Sequence, residues 1–152
     1  MRFANQFCSL IAGICVLLQS GCRPSGDAPP LARISGVVLL DGQPLTHGSV
    51  QFTPDRARGT SGRMALGKIG PDGHFTMTTQ SEGDGVQVGF HKVGIQCFEQ
   101  AANGQSEAGG PPPKPPKSLV PEKYTDPETS GLTIEVHAGS NQDALFELKS
   151  TP

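Results

Sequence analysis

The chain has 152 residues, with 12 Lys and Arg against 14 Asp and Glu, a formal net charge of −2 and a pI near 6.0. That balance leaves no basic face to grip a phosphate backbone, and the one lysine cluster, Lys114 and Lys117 among prolines, is too sparse to make one; nucleic acid is excluded as an expected partner. Twenty Gly, 14 Pro and 5% aromatic residues favour turns and short strands over long helices.

Arg2 followed by the mostly apolar span Phe7 to Leu18 has the layout of a secretory signal: one positive charge, an apolar stretch too short to cross a bilayer, and small residues ahead of a cut. Ser20 and Gly21 stand directly before Cys22. The run Leu17-Leu18-Gln19-Ser20-Gly21-Cys22 resembles the lipobox of bacterial lipoproteins, with Gln19 where that family usually has Leu. The resemblance implies that residues 1–21 are removed and that Cys22, the new N-terminus, is acylated. Two or more acyl chains, at about 0.8 kcal/mol per buried CH2, hold a domain on a membrane surface. Residues 22–32, rich in Pro, Ser and Gly, read as a flexible linker. Past Cys22 no apolar run approaches the roughly 20 residues of a spanning helix. Cys8 and Cys15 leave with the signal, so Cys97 has no intramolecular partner and the domain depends on its core alone.

The body alternates apolar and polar residues, the period of half-buried strands, and nowhere sustains helical spacing. A first strand runs from Arg33 to Leu40 and closes on Asp41-Gly42, a dipeptide suited to positive φ. Gly48 to Thr53 points Val50 and Phe52 one way. Arg63 to Ile69 and His74 to Thr79 read as a hairpin around Gly70-Pro71-Asp72-Gly73, with Phe75 and Met77 inward. After the turn-rich Ser81 to Gly85, Gly89 to Phe98 places Val93, Ile95 and Cys97 on one face, which makes Cys97 a small buried side chain. Leu132, Ile134 and Val136, then Ala144, Phe146 and Leu148 within Asp143 to Lys149, complete seven strands.

Residues 99–118 interrupt this pattern with a Gly-rich then Pro-rich run that buries too little apolar surface to offset ordering entropy, and they read as a disordered loop with polyproline II character. Tyr124, the one tyrosine, is expected to cap the edge of the core.

Ile34-Ser35-Gly36-Val37-Val38-Leu39-Leu40-Asp41-Gly42-Gln43-Pro44-Leu45-Thr46-His47-Gly48-Ser49-Val50-Gln51-Phe52 resembles the opening of carboxypeptidase regulatory-like domains, which share a transthyretin-like (prealbumin-like) fold. Pro71-Asp72-Gly73-His74-Phe75 is similar to their second hallmark, and the stretches Gly89 to Ile95 and Pro121 to Thr133 look like a subset found in small bacterial lipoproteins. The likeness covers about Ile34 to Leu148. It implies an all-β, seven-stranded two-sheet sandwich with Greek-key connections, over residues 33–150. Transthyretin-related hydrolases of hydroxyisourate use a Tyr-Arg-Gly-Ser ending, whereas this sequence ends Leu148-Lys149-Ser150-Thr151-Pro152. Related adhesin sandwiches join a first-strand Lys to a last-strand Asn; the strand from Arg33 has no Lys and that from Asp143 has no Asn, so no such crosslink is expected.

Function sits in sites rather than in a sandwich, and the candidate sites are few. His47, His74, His91 and His137 show no zinc-ligand spacing; His74 and His137 fall at outward positions, and His91 with Lys92 reads as an ordered strand start. Asp41, Asp72, Asp84 and Asp126 each fit a local turn rather than a calcium loop. There is no Gly-x-Ser-x-Gly elbow and no phosphate loop. No catalytic residue, metal or cofactor is expected. Within Asp55 to Arg63, the side chains of Arg56, Arg58 and Arg63 are candidates to meet carboxylates. The sequence thus points to a non-catalytic β-sandwich of the bacterial cell envelope, held to a membrane through Cys22, that binds or spaces an envelope protein or glycan. The alternative is a small-ligand or carbohydrate-binding module, and a transthyretin-like hydrolase comes third.

Overall fold

The computed structural model describes residues 30–99 and 116–150. The expected signal 1–21, the acylation point Cys22, most of the 22–32 linker and the centre of the 99–118 loop lie outside the described residues.

Among the described residues the chain forms nine strands: β1 (Leu31–Leu40), β2 (Gln43–Pro44), β3 (Gly48–Pro54), β4 (Ala65–Ile69), β5 (His74–Thr78), β6 (Val86–Gln87), β7 (Gly89–Gln96), β8 (Leu132–Val136) and β9 (Ser140–Leu148). Two single 3-10 turns, Arg56–Arg58 and Glu122–Tyr124, are the helical segments among the described residues. The chain is all-β. Hydrogen-bonded neighbours run β2-β1-β5-β4-β3-β7-β8, and β9 and β6 also pair with β1. All pairings are antiparallel except β1 with β9, which lie parallel from Arg33 beside Ser140 to Leu40 beside Leu148. Asp41 and Gly42 both have positive φ, 51° and 81°, giving the two-residue turn that pairs Leu40 with Gln43.

Several boundaries differ from those read in the sequence. β1 begins at Leu31, two residues inside the expected linker, because Leu31 and Ala32 pair with Gln87 and Val86 and Ala32 is buried. β4 starts at Ala65 rather than Arg63, since Asp55 to Met64 is occupied by the turn at Arg56–Arg58 and its return. β7 stops at Gln96, with Phe98 reduced to a lone bridge to Ser118; that bridge and the Glu99 N–H donating to the Lys117 carbonyl tie down both ends of the loop expected at 99–118. β9 begins at Ser140, so the last strand does contain an asparagine, Asn141. Its amide hydrogen-bonds the His137 backbone N–H and carbonyl across the turn into the strand.

Inward positions of every long strand meet in one core: Ile34 and Val38 from β1, Val50 and Phe52 from β3, Ile69 from β4, Phe75 and Met77 from β5, Val93 and Ile95 from β7, Val136 from β8, Phe146 and Leu148 from β9. Ile134, expected among them, is only half-buried on the edge strand β8. Phe52 packs edge-on against Phe146 with ring centroids 6.0 Å apart and interplanar angle 87°, and both touch Phe75. β3 and β9 are far apart along the ladder, so this contact shows the sheet curling back over its own face. Gly36 makes the parallel pairing possible, because a Cβ there would lie 2.0 Å from the Ala144 carbonyl oxygen.

Candidate functional site

A cavity of about 350 Å³ opens where the outer face of β3 and β7 meets the Asp55 to Met64 connection. It is lined by Thr53, Pro54, Asp55, Arg56, Ala57, Gly62, Met64, Lys92 and Glu128. Thr53 and Lys92 are register partners on adjacent strands, and Glu128 arrives from the segment before β8.

Local chemistry fixes the rim. Asp55 caps the 3-10 turn through its carboxylate, which accepts the Ala57 N–H at 3.1 Å, and Gly59 ends the turn with φ 82°. The two ends of the loop then grip one residue of β7: the Asp55 N–H donates to the Phe90 carbonyl at 2.9 Å, and the Phe90 N–H donates to Thr60 Oγ1 at 2.7 Å. Arg58 lies over the Phe90 ring, its guanidinium carbon 3.4 Å from the centroid. Gly62 is pressed on by the buried Gln87 amide; a Cβ at Gly62 would lie 1.9 Å from Gln87 Oε1, an atom without a hydrogen-bond partner among the described residues.

An ion pair also lines the cavity. Lys92 Nζ donates to the Glu128 carboxylate, and that hydrogen bond raises the lysine pKa above its ordinary value. Packing of Pro127 against Gly94, and of the Thr125 carbonyl at 3.3 Å from Gln96 Nε2, holds the segment that carries Glu128 along β7. Arg56 is exposed and, among the described residues, pairs with no carboxylate. The fold therefore separates the three arginines proposed from the sequence: Arg56 faces the cavity, Arg58 is stacked on Phe90, and Arg63 is exposed outside the lining.

The other candidates disperse. His74 is exposed beside Asp72, and His137 is exposed near Glu135. His47 contacts the Phe98 carbonyl through Nε2 at 3.0 Å, with the buried Cys97 sulfur 3.5 Å from the same nitrogen. Burial pushes the Cys97 thiol pKa up, which suppresses the reactive thiolate. The four aspartates organise turns: Asp84 accepts N–H groups from Thr79, Gln80 and Ser81, Asp72 that of His74, Asp126 that of Glu128, and Asp41 that of Ser150. Hydrogen bonds hold the carboxyls of Asp41, Asp72 and Asp84 below their ordinary pKa. Among the described residues no group of three His, Cys, Asp or Glu side chains is gathered to hold a metal ion, and no helix is long and apolar enough to cross a membrane. Tyr124 is buried at the core edge, where its hydroxyl accepts the Lys149 N–H at 3.4 Å.

The residue read as an ordered strand start, His91, does lie near the start of β7 and is also a core side chain. His91 is fully buried against Phe52, with ring centroids 6.1 Å apart. Nδ1 lies 3.1 Å from the Gly89 carbonyl and so carries the hydrogen, leaving Nε2 bare and without a hydrogen-bond partner among the described residues. Burial lowers the His91 pKa. The signal was available, because His91 is in step with Val93, Ile95 and Cys97.

No protein family, no curated protein and no solved structure matches this chain.

Proposed function

We propose that this chain is a lipid-anchored β-sandwich of the bacterial cell envelope, of the carboxypeptidase regulatory-like and transthyretin-like kind, acting without catalysis as a binding or structural module. The observation that carries the reading is Cys22, placed directly after Ser20-Gly21 and an apolar stretch with a leading Arg2. Acylation there supplies attachment to a membrane and leaves the domain free to project from the linker. The two-sheet reading takes β9-β1-β5-β4 as one layer and β3-β7-β8 as the other, and packing of Phe52 on Phe146 between those groups supports it. The test is intact-mass analysis of protein extracted from membranes. The fragment beginning at Cys22 should carry acyl mass, and Cys22→Ser should move the protein out of the membrane fraction; an unmodified start or unchanged fractionation removes the proposal.

A second reading, a small-ligand or carbohydrate-binding module, is favoured by the cavity beside Arg56. Its loop is fixed by its own hydrogen bonds before any ligand arrives, which reduces the ordering cost of binding.

A further inference from the structure

We propose that the cavity beneath Asp55 to Met64 recognises a single carboxylate carried on a compact, partly apolar body, with Arg56 as the recognising cation. The inference rests on the second reading above and gives it a ligand class. Charge decides the class. The lining carries two cations, Arg56 and Lys92, and two carboxylates, Asp55 and Glu128. Lys92 is held by Glu128, and Asp55 is nearly buried with its carboxylate capping the turn, so among the described residues Arg56 is the lining cation that pairs with no carboxylate. A doubly charged phosphate or sulfate would meet one available guanidinium and two nearby carboxylates, and repulsion would cancel the gain. One carboxylate instead matches one guanidinium, whose planar fork donates two parallel hydrogen bonds.

Shape sets the body. Pro54, Ala57 and Met64 give the cavity an apolar wall, and the Thr53 hydroxyl, which accepts from Gln51 Nε2 at 3.2 Å, keeps its own hydrogen to donate. A volume of about 350 Å³ lies at the lower end of the roughly 300–1,000 Å³ of small-molecule sites, enough for one sugar ring or two peptide residues. The backbone that carries Arg56 is also held in place. The loop that presents it is latched to Phe90 through both backbone groups, and the neighbouring Arg58 is stacked on that ring. A uronic acid of a glycan and the C-terminal carboxylate of a peptide share this chemistry.

Isothermal titration of the detergent-solubilised full chain distinguishes these sources. The probes are sodium galacturonate and N-acetyl-Ala-Ala, against neutral galactose and the amide-capped dipeptide. Saturable binding of either carboxylate, absent for its neutral counterpart, supports the proposal, and the arm that binds names the source. Arg56→Gln should weaken that binding about tenfold or more, as loss of a charge-assisted pair does, while Arg63→Gln should leave it unchanged. Both side chains are exposed, and thermal melting of each variant verifies folding. Lack of saturation by both carboxylates, tighter binding of inorganic phosphate, or full retention in Arg56→Gln overturns the proposal. Equal binding of galactose and galacturonate would overturn carboxylate recognition while leaving a small-ligand module standing, and none of these outcomes bears on acylation at Cys22.

Discussion

Phe52 and Thr53 are consecutive, as are His91 and Lys92, yet each pair divides between two environments. Phe52 and His91 point into the curled sheet, where the phenyl ring meets Phe75 and Phe146 and the imidazole has one nitrogen bare. Thr53 and Lys92 point outward to the cavity, where polar atoms keep partners or solvent. A strand alternates sides with every residue, so the same two strands build an apolar interior and a charged rim. The inner face tolerates little change because its side chains are close-packed and neighbours only partly refill the space a deleted group leaves. The outer face can vary at small cost to stability.

The sharpest way to break this comparison is Phe52→Ala against Thr53→Ala. Deleting the buried ring should cost about 3–5 kcal/mol, a large part of the usual total of about 5–15 kcal/mol, whereas Thr53→Ala should change stability by less than about 0.5 kcal/mol. Urea unfolding of the detergent-solubilised chain, followed by circular dichroism, measures both. Comparable losses would mean that the facing of β3 is misassigned.

Next in size is the parallel contact of β1 with β9. Gly36→Ala places a methyl group 2.0 Å from the Ala144 carbonyl oxygen, and backbone rather than a flexible side chain must yield. The expected loss is at least about 1–3 kcal/mol, as for other overpacked sites. Gly42→Ala, at φ 81° with nothing within 4 Å, should cost only the left-handed backbone term of about 1 kcal/mol. If Gly36→Ala is the milder of the two, the strands do not approach as described.

These variants also mark what the sequence made legible. Alternation located the seven long strands and most of their inward residues, Ile134 on the edge strand excepted, since period two is a local property of the chain. It could not show that β1 lies parallel to β9, because that pairing joins residues about a hundred positions apart and leaves no local trace beyond a glycine in a strand. The two-residue strands β2 and β6 carry no period at all. Arg56 was legible as a loop cation, but its distinction from Arg58 and Arg63 was not, because it depends on where Phe90, Lys92 and Glu128 arrive in space. His91 differs from these. Its inward position follows from the period, although in sequence it reads only as an ordered strand start with no facing assigned.

The third prediction uses that residue. The unfolded imidazole titrates near its ordinary value of 6.5, and burial lowers the folded value, so below pH 6.5 the unfolded chain binds more protons than the folded one. Stability from this group is fully present above pH 6.5 and falls as the pH drops toward the folded pKa. The carboxyls of Asp41, Asp72 and Asp84 are held below 3.8, so their contribution is lost at lower pH, outside the window from 6.5 to about 5. His91→Met should flatten the pH dependence of the urea midpoint in that window. An unchanged slope would show that the imidazole reaches solvent or a partner when protonated.

The smallest effect is expected at His74, one residue from Phe75 on the opposite face. Its imidazole is exposed and lies 3.2 Å from an equally exposed Asp72 carboxylate, a pairing that solvent screens. The turn does not depend on it, because Asp72 Oδ1 also accepts the His74 backbone N–H at 3.2 Å and the Gly70 N–H donates to the His74 carbonyl at 2.8 Å, and both bonds survive removal of the side chain. His74→Ala should therefore leave stability within about 0.5 kcal/mol of the parent, while Phe75→Ala loses about 3–5 kcal/mol. Measured side by side by urea unfolding, the two variants read the facing of β5 directly. A His74→Ala loss that rivals Phe75→Ala would place the imidazole inside the sheet and dissolve the division between inner and outer faces on this strand.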